Sequence, residues 1–203
     1  MPSQCIQPKE QRLEKSQIDN QESIPTIDLS NFCDLNVEKS IREAATKWGC
    51  FQIINHGIPN EVLEDLKDAA HRYQVLEYQK WAKPLAKKLL EVLLKGLNVN
   101  EIDESLEPLL MGTMNINMNY YPPCPNPSIT MGARRHCDGS CITLLFKDDM
   151  EGLYILGTKG DNWIHVNSIK GALAVNIGDL LQIISNDQYK SIEHCVAVES
   201  SRA

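Results

Sequence analysis

Several common features are missing from this 203-residue sequence. No stretch approaches the roughly 18 consecutive apolar residues of a membrane-spanning helix, and Met1 to Asn20 is polar, without the apolar segment of a secretory leader. A soluble, cytoplasmic protein is therefore expected. Basic residues do not dominate: Lys and Arg total 20 against 27 Asp and Glu, for a formal charge of -7. That balance excludes a phosphate-tracking surface, so neither nucleic acid nor a membrane is an expected partner, and a small-molecule substrate is. The cysteines form no C-x-x-C pair. Seven of them (Cys5, Cys33, Cys50, Cys124, Cys137, Cys141 and Cys195) are scattered along the chain, which does not suit a secreted disulfide framework. Internal repeats and low-complexity tracts are absent too.

What is present divides the chain into two halves. Residues 1–23 carry little periodicity and are expected to form an exposed arm. Ile24–Leu29 alternates as a short strand, and Val37, Ile41, Ala44, Ala45 and Trp48 recur at helical spacing up to the stop signal Gly49. Cys50–Ile54 reads as a strand that turns at Asn55-His56-Gly57. From Asn60 to Gly96 one helical stripe runs too long for an ordinary helix; it has an uncapped junction near Arg72, and Pro84 is expected to break or kink it. Beyond Glu107-Pro108 short β-rich runs follow one another: 114–121, 142–146, 153–156, 163–166, 173–177, 181–185 and 191–198. The expected fold class is α+β, a mainly helical region over 1–110 and an antiparallel sandwich or barrel over 111–203.

The chemistry gathers in the second half. His136 and Asp138 stand two apart at the entry to a β-run, so on a strand both point one way while Cys137 points away. His194 lies on a later run that need only come alongside. Two imidazoles and one carboxylate make a facial set that holds Fe(II) and leaves coordination positions open. A rival reading takes Cys137 and Cys141, with His136 or with His194-Cys195, as a zinc site. Asn119 and Tyr121, also two apart, are placed to aim donors at a small anion. Trp163, His165 and Asn176-Ile177-Gly178-Asp179 read as packing and turn residues, and His56 and His71 as structural.

Taken together, Ile24–Leu29, Trp48–Gly57, Asn119–Pro125, His136-Cys137-Asp138, Asn176–Asp179 and Ser191–His194 resemble the plant 2-oxoglutarate and Fe(II)-dependent dioxygenases. The wording around Tyr121, Arg135-His136 and Tyr189–His194 is most similar to feruloyl-CoA ortho-hydroxylases. The resemblance implies an incomplete double-stranded β-helix, or jelly roll, after the helical region. It also implies His136, Asp138 and His194 as iron ligands, Asn119 and Tyr121 as donors to 2-oxoglutarate, O2 as co-substrate and ascorbate as a candidate auxiliary reductant. The expected activity is hydroxylation of a small specialised metabolite in phenylpropanoid or coumarin chemistry.

The sequence departs from that pattern in four places. Cys137 replaces the usual Ser or Thr between the first two ligands. A helix before Gln7-Pro8 is absent, and so is a long segment between Arg72 and Val75. The Arg-x-Ser pair that grips the far carboxylate of 2-oxoglutarate would begin about one residue beyond Ala203, and Arg202 is not in register to replace it. A second expectation therefore stands beside the enzyme: a non-catalytic remnant or splice form that binds iron or a partner without turnover. An unpaired sheet edge, prone to self-association, is expected in either case.

Overall fold

The computed structural model describes residues 6–67, 72–147, 151–158 and 162–200. The first helix, α1 (Leu35–Lys47), starts where the Asp34 carboxylate accepts the Asn36 backbone N–H at 2.8 Å. Its apolar stripe buries Ile41, Ala44 and Ala45. It stops at Gly49, whose φ of +64° favours glycine and where any Cβ would collide with the Lys190 carbonyl oxygen. That close approach is tied by the Lys190 N–H, which donates to Ala45 O at 3.1 Å. The end of α1 is thus fastened to the segment that leads into the last strand.

Helix α2 (Asn60–Lys67) and helix α3 (Arg72–Lys95) follow. The junction expected near Arg72 adjoins residues 68–71, which, with His71, lie outside the described residues. Of the break or kink expected at Pro84, the break does not occur: Pro84 lies inside α3. A mid-helix proline costs about 3 kcal/mol. Against that cost, α3 buries Ala82, Leu85, Leu89, Leu90, Val92 and Leu93, while Pro84 itself sits on the exposed side. A short helix, α4 (Glu107–Met111), closes the helical part.

Among the described residues nine strands form two sheets. Sheet A has the order β1 (Ile18–Asp19), β7 (Trp163–His165), β6 (Leu153–Leu156), β9 (His194–Ala197), β4 (Met131–His136). Sheet B has the order β2 (Thr26–Asp28), β3 (Cys50–Ile54), β8 (Leu173–Ile177), β5 (Ile142–Phe146). Pairing within β7-β6-β9-β4 and within β3-β8-β5 is antiparallel, while β1 and β2 add in parallel at the edges. The fold is the expected jelly-roll core with helices, and sheet B takes β2 and β3 from the first half of the chain.

Alternation along sheet B separates two cores. Phe51, Ile53, Leu173, Val175 and Ile177 pack outward with α1, α2 and α3 in the larger cluster. Ile24, Cys50, Ala174, Leu153, Ile155, Ile164 and Val166 form a smaller one between the sheets.

Four local expectations change. The arm is not free, since β1 pairs with β7 and the Gln7 N–H donates to Ile129 O at 2.9 Å. Residues 114–121 are not a strand, because no described strand lies beside them to complete a ladder, and Tyr120 among them is exposed. The run 181–185 belongs to helix α5 (Asp179–Ile184), in which only Leu181 is buried. A strand not anticipated, β4, leads into His136.

Candidate metal centre

His136 ends β4 and His194 opens β9, and the two are direct partners in the ladder, beside a bulge between Ala133 and His136. Directly opposed residues share a face, so both rings point to one side, with centroids 4.2 Å apart and planes tilted by 53°. Asp138 lies beyond β4, in the turn toward β5 and not on the strand that its spacing suggested. Its Oδ1 nevertheless faces both rings, 3.9 Å from His136 Nε2 and 3.7 Å from His194 Nε2.

Both imidazoles are held in the same tautomer. His136 Nδ1 donates to Arg134 O at 2.6 Å, and His194 Nδ1 donates to Ile192 O at 3.1 Å. A carbonyl only accepts, so the proton sits on Nδ1 and the Nε2 lone pairs are left toward Asp138. Burial pushes the His194 imidazolium below the ordinary pKa and favours the neutral, ligating form.

One donor atom from each of the three residues falls within a 4.8 Å group, the only such His/Cys/Asp/Glu trio among the described residues. First-row divalent ions hold N and O ligands at about 2.0–2.2 Å, which sets neighbouring donors about 3 Å apart. Two neutral imidazoles and one carboxylate on one side of an ion fit non-haem Fe(II). The zinc alternative does not assemble: Cys137 is exposed, Cys141 and Cys195 are buried, and none of them joins the group.

The turn carrying Asp138 is anchored from behind. The Asp179 N–H donates to Asp138 O at 2.7 Å, and Gly178 N–H donates to Cys141 O at 3.0 Å. A Cβ on Gly178 would strike Ser140 O and stand 2.7 Å from Asp138 O, so only glycine admits this packing. On β8 the Asn176 Nδ2 donates to Asp138 Oδ2 at 3.5 Å. Residues 176–179, expected to serve packing and turns, therefore hold the carboxylate ligand. On the opposite face Arg135 forks onto Glu193 at 2.8 and 3.2 Å and lies over the Trp163 ring at 4.9 Å. Each member of that fork precedes a histidine of the triad, so it ties β4 to β9 next to the ligands. The signal for Asn176 and Gly178 was the string 176–179 among those that carry the family resemblance; their role emerges only in three dimensions.

Tyr121 is half-buried against β4, its ring where a Cβ on Gly132 would stand 2.8 Å away, and burial raises its phenol pKa. Asn119 is exposed on the same extended segment. Neither makes a hydrogen bond to the triad among the described residues. Arg202 and Ala203 lie outside the described residues.

Known proteins resemble this chain in sequence and fold. The family described as the 2OG-Fe(II) oxygenase superfamily matches residues 112–203, and one described as the N-terminal part of non-haem dioxygenases in morphine synthesis matches residues 24–87. A bi-functional coumaroyl CoA and feruloyl CoA ortho-hydroxylase of Ipomoea batatas is 40% identical over 262 aligned positions, covering 99% of this chain and 73% of the relative. Feruloyl CoA ortho-hydroxylase 2 of Arabidopsis thaliana is 37% identical over 264, covering 99% and 73%. Both alignments are longer than this chain, so the relatives hold internal positions without a counterpart here. Among solved structures, JOX2 in complex with 2OG, Fe and JA superposes with a TM-score of 0.82 at 25% identity, over all of this chain and 76% of its own. The Arabidopsis thaliana dioxygenase for auxin oxidation 1, in a complex with 2-oxoglutarate, gives a TM-score of 0.72 at 20% identity over 87% of each chain. With two family descriptions matched in order and relatives this similar along nearly its whole length, the chain belongs to the 2OG-Fe(II) oxygenase superfamily, as an oxidoreductase that uses Fe(II) and 2-oxoglutarate.

Proposed function

We propose that this protein ortho-hydroxylates a phenylpropenoyl-CoA thioester of the feruloyl or coumaroyl type, with iron on His136, Asp138 and His194 and with Asn119 and Tyr121 turned to 2-oxoglutarate. The observation that carries the reading is the converged triad, two Nε2 atoms and one carboxylate oxygen already facing one point. The substrate class is supported by the names of the relatives. When bound, Fe(II) with 2-oxoglutarate supplies O2 activation: one oxygen atom enters a ring C–H of the substrate and the other leaves in succinate as CO2 is lost.

The chain's own part is ligation, positioning and exclusion of water. Ile155, opposite His194 in the ladder, and Ala174 and Cys50 across the sandwich keep the inner side of the centre apolar. His136 remains exposed, which leaves the other side open for an incoming substrate. A preformed donor set favours this reading over a non-catalytic remnant.

Anaerobic titration with Fe(II) and 2-oxoglutarate, following the visible charge-transfer band, tests the site. A saturable band in the wild type that His136→Ala abolishes is expected, then succinate formation that depends on feruloyl- or coumaroyl-CoA, with and without ascorbate. A folded protein that shows no band overturns the reading.

Self-association and a cytoplasmic location are further parts of this proposal, and other observations support them. Residues 142–145 of β5 pair with β8 alone among the described residues and carry no charge or proline to blunt the edge. Self-association through that edge is expected to appear as concentration-dependent light scattering, and a monodisperse monomer at high concentration counts against it. The free thiols of Cys33, Cys50, Cys124, Cys137, Cys141 and Cys195 suit the reducing cytoplasm, which cell fractionation tests.

A further inference from the structure

Asp138 uses its two carboxylate oxygens differently. Oδ1 faces the two histidine nitrogens, and Oδ2 accepts from Asn176 Nδ2, the only side-chain donor to it among the described residues. Asn176 lies on β8 between Cys50 of β3 and Thr143 of β5 and is 2% exposed. The opposite amide orientation would press Oδ1 of Asn176 against a carboxylate oxygen, so repulsion selects the orientation seen. The other end of this amide, Oδ1, is buried and has no hydrogen-bond partner among the described residues. The other buried amide of this inward row, Gln52, is satisfied by Asn167 O at 2.6 Å, whereas the half-paired amide of Asn176 is costly beside Cys50 and Ala174, where packing alone would favour an apolar residue of the same size.

We propose that Asn176 is a positioning residue that sets how Asp138 binds the metal. By engaging Oδ2 it presents Oδ1 alone to the ion, keeps the carboxylate monodentate, and so leaves room for a chelating co-substrate beside O2. This inference rests on the triad being the metal site. Residues that orient a metal ligand from behind typically change metal affinity by about 10–100-fold when replaced.

Two variants of the full chain separate this role from packing: Asn176→Leu keeps the volume and loses the amide, and Asn176→Ala loses both. The measurements are Co(II) and Fe(II) affinity by titration, the visible spectrum of the Co(II) protein, and the melting temperature of the metal-free protein. Both variants are expected to bind Co(II) and Fe(II) about 10–100-fold more weakly than wild type, with an altered Co(II) spectrum. The metal-free Leu variant is expected to melt no lower than wild type. Unchanged affinity in both, loss in the Ala variant alone, or failure of both variants to fold without metal makes Asn176 a packing residue and overturns the proposal. A wild type that takes up no metal overturns the triad reading as well.

Discussion

On its outer face sheet B gives the helices Phe51, Ile53, Leu173, Val175 and Ile177; on its inner face the same strands turn in Cys50, Gln52, Ala174 and Asn176. The outer row meets the leucines of α3 in a large apolar layer. The inner row mixes the small apolar Cys50 and Ala174 with two amides, of which Gln52 is satisfied by Asn167 O at 2.6 Å. One set of strands therefore carries most of the hydrophobic stabilisation on one side and supports the metal centre on the other. Strand alternation makes this division available, because neighbouring residues face different environments.

Substitutions on the two faces are expected to separate stability from metal binding. The largest effect belongs to the outer face: Phe51→Ala, at a fully buried position, should cost about 3–5 kcal/mol in urea unfolding. Metal affinity should fall only as far as the folded fraction does. If the remaining folded protein binds iron poorly, the faces are coupled more tightly than the packing indicates.

Gly178→Ala should do the reverse. Its Cβ displaces the turn carrying Asp138, and Fe(II) affinity is expected to drop by about 10–100-fold while the melting temperature moves less than for Phe51→Ala. Tyr189→Phe removes the bond that the buried phenol donates to Leu93 O at 2.6 Å. That change should cost about 0.5–1.5 kcal/mol, without effect on metal titrations.

The smallest effect is pH dependence from His56, whose Nε2 lies 2.8 Å from Gly171 O at the end of the sheet. Burial lowers its pKa from the ordinary value of 6.5. The unfolded chain therefore takes up a proton first as pH falls: stability is fully present above 6.5 and declines as the pH drops from there through the folded-state pKa. His56→Gln should flatten the change in urea midpoint between about pH 7 and pH 5. An equal slope in both proteins would assign the dependence to other groups.

Much of this was legible from residue order. The stripe of α1, the Gly49 stop, Cys50–Ile54, and the strands at 142–146, 153–156, 163–165 and 173–177 each show their periodicity within a short window. His136, Asp138 and His194 were legible as chemistry because they stand among the strings that resemble the dioxygenase family; their spacing alone also fits a turn aspartate and two packed histidines. The run 181–185 was not: a short apolar stretch fits a strand or a helix, and here Gly178 and Asp179 start a helix that fastens the ligand turn. Residues 114–121 have strand composition and no described neighbour to pair with. The parallel addition of Ile18–Asp19 to β7 was equally hidden, since nothing in a polar segment specifies a partner far along the chain.

By itself the sequence determined the kinds of elements, the identity of the three candidate ligands and the family, because periodicity and side-chain chemistry are local properties. Only the tertiary structure decided which oxygen of Asp138 faces the histidines, which side of β8 supports it and which runs find a ladder. Those outcomes depend on contacts between residues far apart in the chain, and the closed sheets bring them together only once the whole core has packed.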